Sequence, residues 1–218
     1  MAAGLILPFV LIGALNKGFP DYLEAAAAGS GQIRASVAIA IVGSALTLFI
    51  GVTMFPVLKS HSLRAAVWFL AVCSVSCALD LAHNATVLTM LSAAERLVAA
   101  GAGDDTVYRA SGLAAASLRR SVHIMQLAAI AGWMISFYFS VFRFRLTPRI
   151  VSALGIAGVI SQFTGVTAMM LLGYPTIGVM AMALAPIHAA AAVYLIVKGF
   201  PERNEQADEL SDQTGARK

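Results

Sequence analysis

Five apolar, almost uncharged stretches run through this chain, at about residues 35–58, 65–91, 121–142, 150–172 and 176–198. Each is long enough to cross roughly 30 Å of hydrocarbon at 1.5 Å of rise per residue. In a medium without water, backbone N–H and C=O groups over such lengths are satisfied only within helices or closed barrels. Strand-like alternation is absent, so the sequence predicts an all-α chain. The composition agrees: 59% of the 218 residues are hydrophobic and 12% are charged, where a soluble domain carries charge at about a quarter of its positions. Too few charges remain to coat a soluble surface, and membrane lipid is the expected surrounding.

A further apolar segment, Ala2 to Leu15, is short for a span. No basic residues precede it, as they would in a signal peptide, and it reads as a short first span extended by Asn16 to Phe19. The expectation is a polytopic transmembrane helix bundle of six spans over residues 1–200. A polar, disordered tail over 201–218 follows, with nothing to bury.

The connections set the orientation. Residues 59–64 and 143–149 are short and basic, with Lys59, Arg64, Arg143, Arg145 and Arg149 and no acid. Residues 16–34 and 92–120 are longer and mixed, and Gly101 to Asp105 reads as a turn between two short helical pieces. Gly173-Tyr174-Pro175 reads as a tight turn between the last two spans. Short basic loops stay in the cytoplasm, which places both termini there. The net charge of +4 therefore orients the chain and does not mark a nucleic-acid partner, since no soluble basic and aromatic patch exists. Cys73 and Cys77, four residues apart in an apolar run, are packing residues and not a disulfide framework. Arg34, Ser36, Val37 and Ile39 recur as Arg119, Ser121, Val122 and Ile124, each set opening a span. That is the pattern a duplicated helical hairpin would leave.

The order of a short first span, a long loop, a basic turn, Leu146-Thr147-Pro148-Arg149 after the fourth span and a closing Val197-Lys198-Gly199 resembles an uncharacterised bacterial family. It is a family of six-span membrane proteins defined only as a domain of unknown function. The resemblance extends to about residue 200, and implies six helices in a bacterial inner membrane and no agreed activity. Members often carry a Glu about ten residues before the closing Lys-Gly, where this chain has His188.

Polar groups within the apolar runs carry most of the functional signal, because an ionisable side chain in hydrocarbon costs on the order of 3 kcal/mol. Cys73, Cys77, Asp80 and Asn84 share one helical stripe, with His83 at its edge. Arg119, His123 and Gln126 share another, while Gln162 and His188 sit in the last two spans. Rise per residue puts Asp80 and Gln162 about 15 Å deep, His188 about 18 Å, His83 and Gln126 about 10 Å and His123 about 5 Å. Asp80, His83, Asn84, His123, Gln126, Gln162 and His188 are thus candidates for a small-ligand or ion site centred on Asp80. Gln162 and His188 are its expected neighbours.

The bland alternative gives these groups only helix–helix hydrogen bonds, worth about 0.6 kcal/mol each. Trp68, Tyr138, Phe139, Phe142, Tyr194 and Phe200 read as an aromatic belt, and Arg119 and Arg120 as interface anchors. Cys77 and His83, six residues apart, fall on different sides of one helix and make no nucleophile–base pair.

Three function classes follow. The first is a binding or transport protein for a small molecule or ion. The second is a membrane-embedded enzyme in which His83, His123 and His188 hold a metal, or two of them a haem, although no local ligand motif is present. The third is an accessory subunit of a larger membrane complex, or a homo-oligomer, whose polar groups only join helices.

Overall fold

The computed structural model describes residues 22–100, 106–172 and 184–200, with only the backbone of 166 and 169–172. The expected first span over 2–15, the turns at 101–105 and 173–175, the start of the last span and the tail from 201 lie outside the described residues. All regular structure among the described residues is helical: α1 (Tyr22–Ala28), α2 (Ser30–Lys59), α3 (Leu63–Ala100), α4 (Thr106–Arg143), α5 (Arg149–Leu172) and α6 (Leu184–Lys198). Of these, α2, α3 and α4 are long and apolar enough to cross a membrane, and α5 and α6 contain shorter apolar helices.

Two helices run well past their hydropathic limits. The apolar stretches 65–91 and 121–142 become α3 and α4, each 38 residues. The two helical pieces expected on either side of residues 101–105 are continuations of these helices rather than separate elements. The reason is propensity. Residues 92–100 hold Ala, Leu, Glu and Arg without Gly or Pro, and such a run keeps its hydrogen bonds in water as well as in lipid. Hydropathy marks where the solvent changes; it does not mark where a helix stops.

Each helix packs on the next in order, α2 on α3, α3 on α4, α4 on α5 and α5 on α6, while α1 folds back onto α3. The buried apolar residues form two clusters at opposite ends. One joins Tyr22, Leu23, Ile33, Val37, Val87, Met90, Leu91 and Ala115 and is hereafter the cap end. The other joins Met54, Leu58, Phe69, Cys73, Trp133, Tyr138, Leu146 and Leu184 and is the turn end. At the cap end Tyr22 Oη donates to the carbonyl of Gly112 at 2.6 Å. Arg34 there holds both oxygens of Glu95, at 2.8 and 3.1 Å. Outside the clusters the long helices present apolar side chains, such as Val42, Phe49, Trp68, Phe139 and Ile150, to the surroundings. Apolar surface of that extent is what lipid or another subunit covers.

The two short motifs that carried the family resemblance are helix joints. After α4, Arg145 takes φ 57°. Its N–H bonds the carbonyl of Phe142 at 3.4 Å, and the N–H of Leu146 bonds that of Val141 at 2.9 Å. This is a Schellman stop, with Leu146 buried as its apolar closing residue. Thr147 Oγ1 then meets Ser152 Oγ at 2.6 Å and Pro148 opens α5 with a preset φ. At the end of α6, Gly199 has φ 67° and its N–H returns to Leu195 O at 3.0 Å, an αL cap. Phe200 folds back onto the turn-end cluster. The α2–α3 turn lies alongside the α4–α5 turn, with His61 and Phe144 ring centroids 5.0 Å apart.

Candidate functional site

Between the two apolar clusters lies a layer of polar side chains. On α2 it contributes Ser44, between Val37 of the cap-end cluster and Met54 of the other. On α3 it holds Ser76, Asp80, His83 and Asn84, between Cys73 and Val87. On α4 it holds His123 and Gln126, between Ala115 and Trp133. Antiparallel packing brings these stretches to one level. The Cβ of Cys73 lies only 2.9 Å from where a side chain on Gly51 would begin. Seven residues further from the turn on both helices, Ser44 reaches Asp80.

The centre of the layer is a chain of hydrogen bonds. Gln126 Nε2 donates to Asp80 Oδ1 at 2.9 Å, and Gln126 Oε1 lies 2.7 Å from His123 Nδ1. An amide oxygen only accepts, so His123 Nδ1 carries the proton of that bond, which fixes the tautomer of the neutral ring. The His123 ring faces that of His83 with centroids 4.8 Å apart and planes inclined at 34°. Arg119 lies one turn before His123 on the same stripe of α4. His83 and Asn84 are buried, and His83 Nε2 has no hydrogen-bond partner among the described residues. Ser76 Oγ, fully buried one turn beyond Asp80, is likewise without one.

Five of the seven candidates, Asp80, His83, Asn84, His123 and Gln126, therefore share this layer. The other two do not join it. Gln162 lines a crevice with Leu127, Ile130, Ala131, Met134 and Phe163 on the α4–α5 side. His188 Nδ1 meets the hydroxyl of Tyr138 at 2.5 Å, with the two rings stacked. Tyr138 is 12 residues along α4 from Gln126, about 18 Å by helical rise. The neighbours of Asp80 are thus Gln126 and Ser44, on α4 and α2. Gln162 and His188, expected beside Asp80 from their depth, contact other stretches of α4, in the crevice and at Tyr138.

His83, His123 and His188 likewise form no common ligand set. No group of three His, Cys, Asp or Glu side chains with metal-binding geometry occurs among the described residues. Tyr138, expected in an aromatic belt, is fully buried, and its ring fills the space over Gly155 so closely that any side chain there would overlap it. Cys73 and Cys77 are free thiols, Cys73 in the core. Ser44 and Ser76 were missed by sequence reasoning. Their only signal is a hydroxyl inside an apolar run, which Ser usually satisfies on its own helix carbonyl. Ser44 does so at Ala40, at 2.9 Å.

A family model described as Domain of unknown function (DUF4386) matches residues 1–199. No curated protein and no solved structure matches the chain.

Proposed function

The chain belongs to the DUF4386 family of unknown function, and on that premise we propose that it is a six-span protein of the bacterial inner membrane that binds a small ligand or ion at Asp80. In this reading both termini face the cytoplasm, the basic connections at 59–64 and 143–149 lie on that side, and the polar layer opens toward the outer face. The observation that supports it is the Asp80–Gln126–His123 chain. An acid inside an apolar helix is costly, and helix adhesion alone needs no carboxylate, since Asn or Ser would serve. Here the acid is hydrogen-bonded from a neighbouring helix, α4, and backed by a histidine of fixed tautomer.

A second reading, an accessory subunit, is favoured by the apolar face of α6, where Ile196 is 83% exposed. A histidine-held metal or haem enzyme has no such support.

Asp80→Asn separates the first two, because it keeps shape and hydrogen-bonding capacity and removes the titratable group. Thermal stability of the solubilised wild type, scanned over acid and alkaline buffers, salts, amines and small carboxylates, is expected to respond to at least one condition. Asp80→Asn is expected to fold normally and lose that response. Equal responses in both proteins overturn the site reading.

A further inference from the structure

The polarity of Gln126 narrows the ligand class. Its amide turns Nε2, a donor, toward Asp80, while its oxygen is engaged by His123. A metal cation at the carboxylate would face an N–H₂ group instead of an oxygen, which is the wrong sign for coordination. Sodium- or calcium-like ions need about six oxygens. Among the described residues, the side chains that reach Asp80 from other helices are Ser44 from α2 and Gln126 from α4.

The same carboxylate is flanked on its own helix by the two orphaned polar atoms, Ser76 Oγ and His83 Nε2. Offsets of four and three residues place both on the Asp80 face, about 6 Å and 4.5 Å away along the axis. Separations of that order suit a single bridging water, and buried polar atoms without a protein partner are where ordered water is held.

From these positions we propose that the ligand of the Asp80 site is a proton, exchanged along a water-bridged stripe Ser76–Asp80–His83 on the buried face of α3. The inference rests on the reading of Asp80 as the binding centre and names what binds there. A hydronium proton passes to the free oxygen of Asp80 and leaves water behind. Release reverses the step, with the lone-pair nitrogen of His83 or the Ser76 hydroxyl organising the water on either side. The groups facing the stripe from its neighbours are Ser44 on α2 and Gln126, His123 and Arg119 on α4. Cys77 lies beside Asp80 on α3 itself.

Infrared difference spectroscopy of the purified full-length protein tests this directly. A protonated-carboxyl band that titrates with pH, shifts in D₂O and vanishes in Asp80→Asn is expected. Its titration midpoint should be unmoved by sodium, calcium or zinc. His83→Phe is expected to slow deuterium exchange of that band at least tenfold, and Ser76→Ala to slow it less. If His83→Phe does not fold, the Ser76→Ala and wild-type cation titrations decide.

No titrating band at Asp80 overturns the proposal. A band displaced by one cation also overturns it, while keeping Asp80 as a binding site for that ion. Unchanged exchange in both folded variants removes the stripe. A normal titrating band together with a wild-type stability response in Asp80→Asn would instead overturn the functional reading and leave the proton site standing.

Discussion

At the level of single residues, the sequence already marked Asp80, His83, His123 and Gln126, because each stands out against hydrocarbon by its cost. Their partners were a different matter. Helical periodicity gives depth and stripe, and by depth Gln162 and His188 match Asp80. What it does not give is the direction each stripe faces around the bundle. In the fold Asp80 is bonded to Gln126, and His188 to Tyr138, 12 residues along α4 from Gln126. Gln126 is consequently the residue on which the layer depends. Gln126→Ala leaves the carboxylate and His123 Nδ1 without their mutual partner, and each such loss costs about 1–3 kcal/mol. The thermal midpoint in detergent should fall accordingly. In a double-mutant cycle with Asp80→Asn, the two changes should couple by about 0.5–3 kcal/mol, whereas Gln126→Ala with Tyr138→Phe, about 18 Å away along α4, should add independently.

At the level of elements, the family motifs turned out to be stops and starts of helices, and they make sharp predictions. Arg145 occupies the left-handed region, φ 57°, at a cap position where Gly is the usual residue. Arg145→Gly should therefore raise stability by about 1 kcal/mol, read as a higher unfolding midpoint. Gly155→Ala should do the opposite. Its Cβ meets the Tyr138 ring, and overpacking of that kind costs about 1–3 kcal/mol. The penalty should vanish when Tyr138 is first shortened to Ala. At the cap end, burial holds the Tyr22 phenol above its usual range, so it stays a donor to Gly112 O. Since the neutral form is favoured in the fold, this contribution is present below the ordinary tyrosine range and is lost as pH rises through the raised value. Tyr22→Phe should cost about 0.5–1.5 kcal/mol and abolish that alkaline loss. The Tyr22–Gly112 contact was not visible beforehand, because α1 and the first fifteen residues of α4 fall where hydropathy gives no signal.

At the scale of the molecule, the bundle is a sequential stack, α2 to α6, closed at two ends by apolar clusters with the polar layer between. Cysteines introduced singly at 61 and 103 should, in the proposed orientation, be labelled only from the inside and only from the outside respectively; the reverse pattern inverts the topology. The sequence alone determined that the chain is helical, that its helices are apolar enough for a membrane, and which polar residues they carry. Those follow from local facts: backbone hydrogen bonding in hydrocarbon and the cost of a charge there. Only the tertiary structure decided that Asp80 bonds Gln126, that His188 bonds Tyr138 further along α4, and that His83 and His123 meet ring to ring while His188 stays apart from them. Contact between stripes depends on the rotation of each helix about its axis. Close approaches such as Gly51 on Cys73 and Gly155 under Tyr138 set that rotation, and these are properties of packed pairs that no single helix encodes.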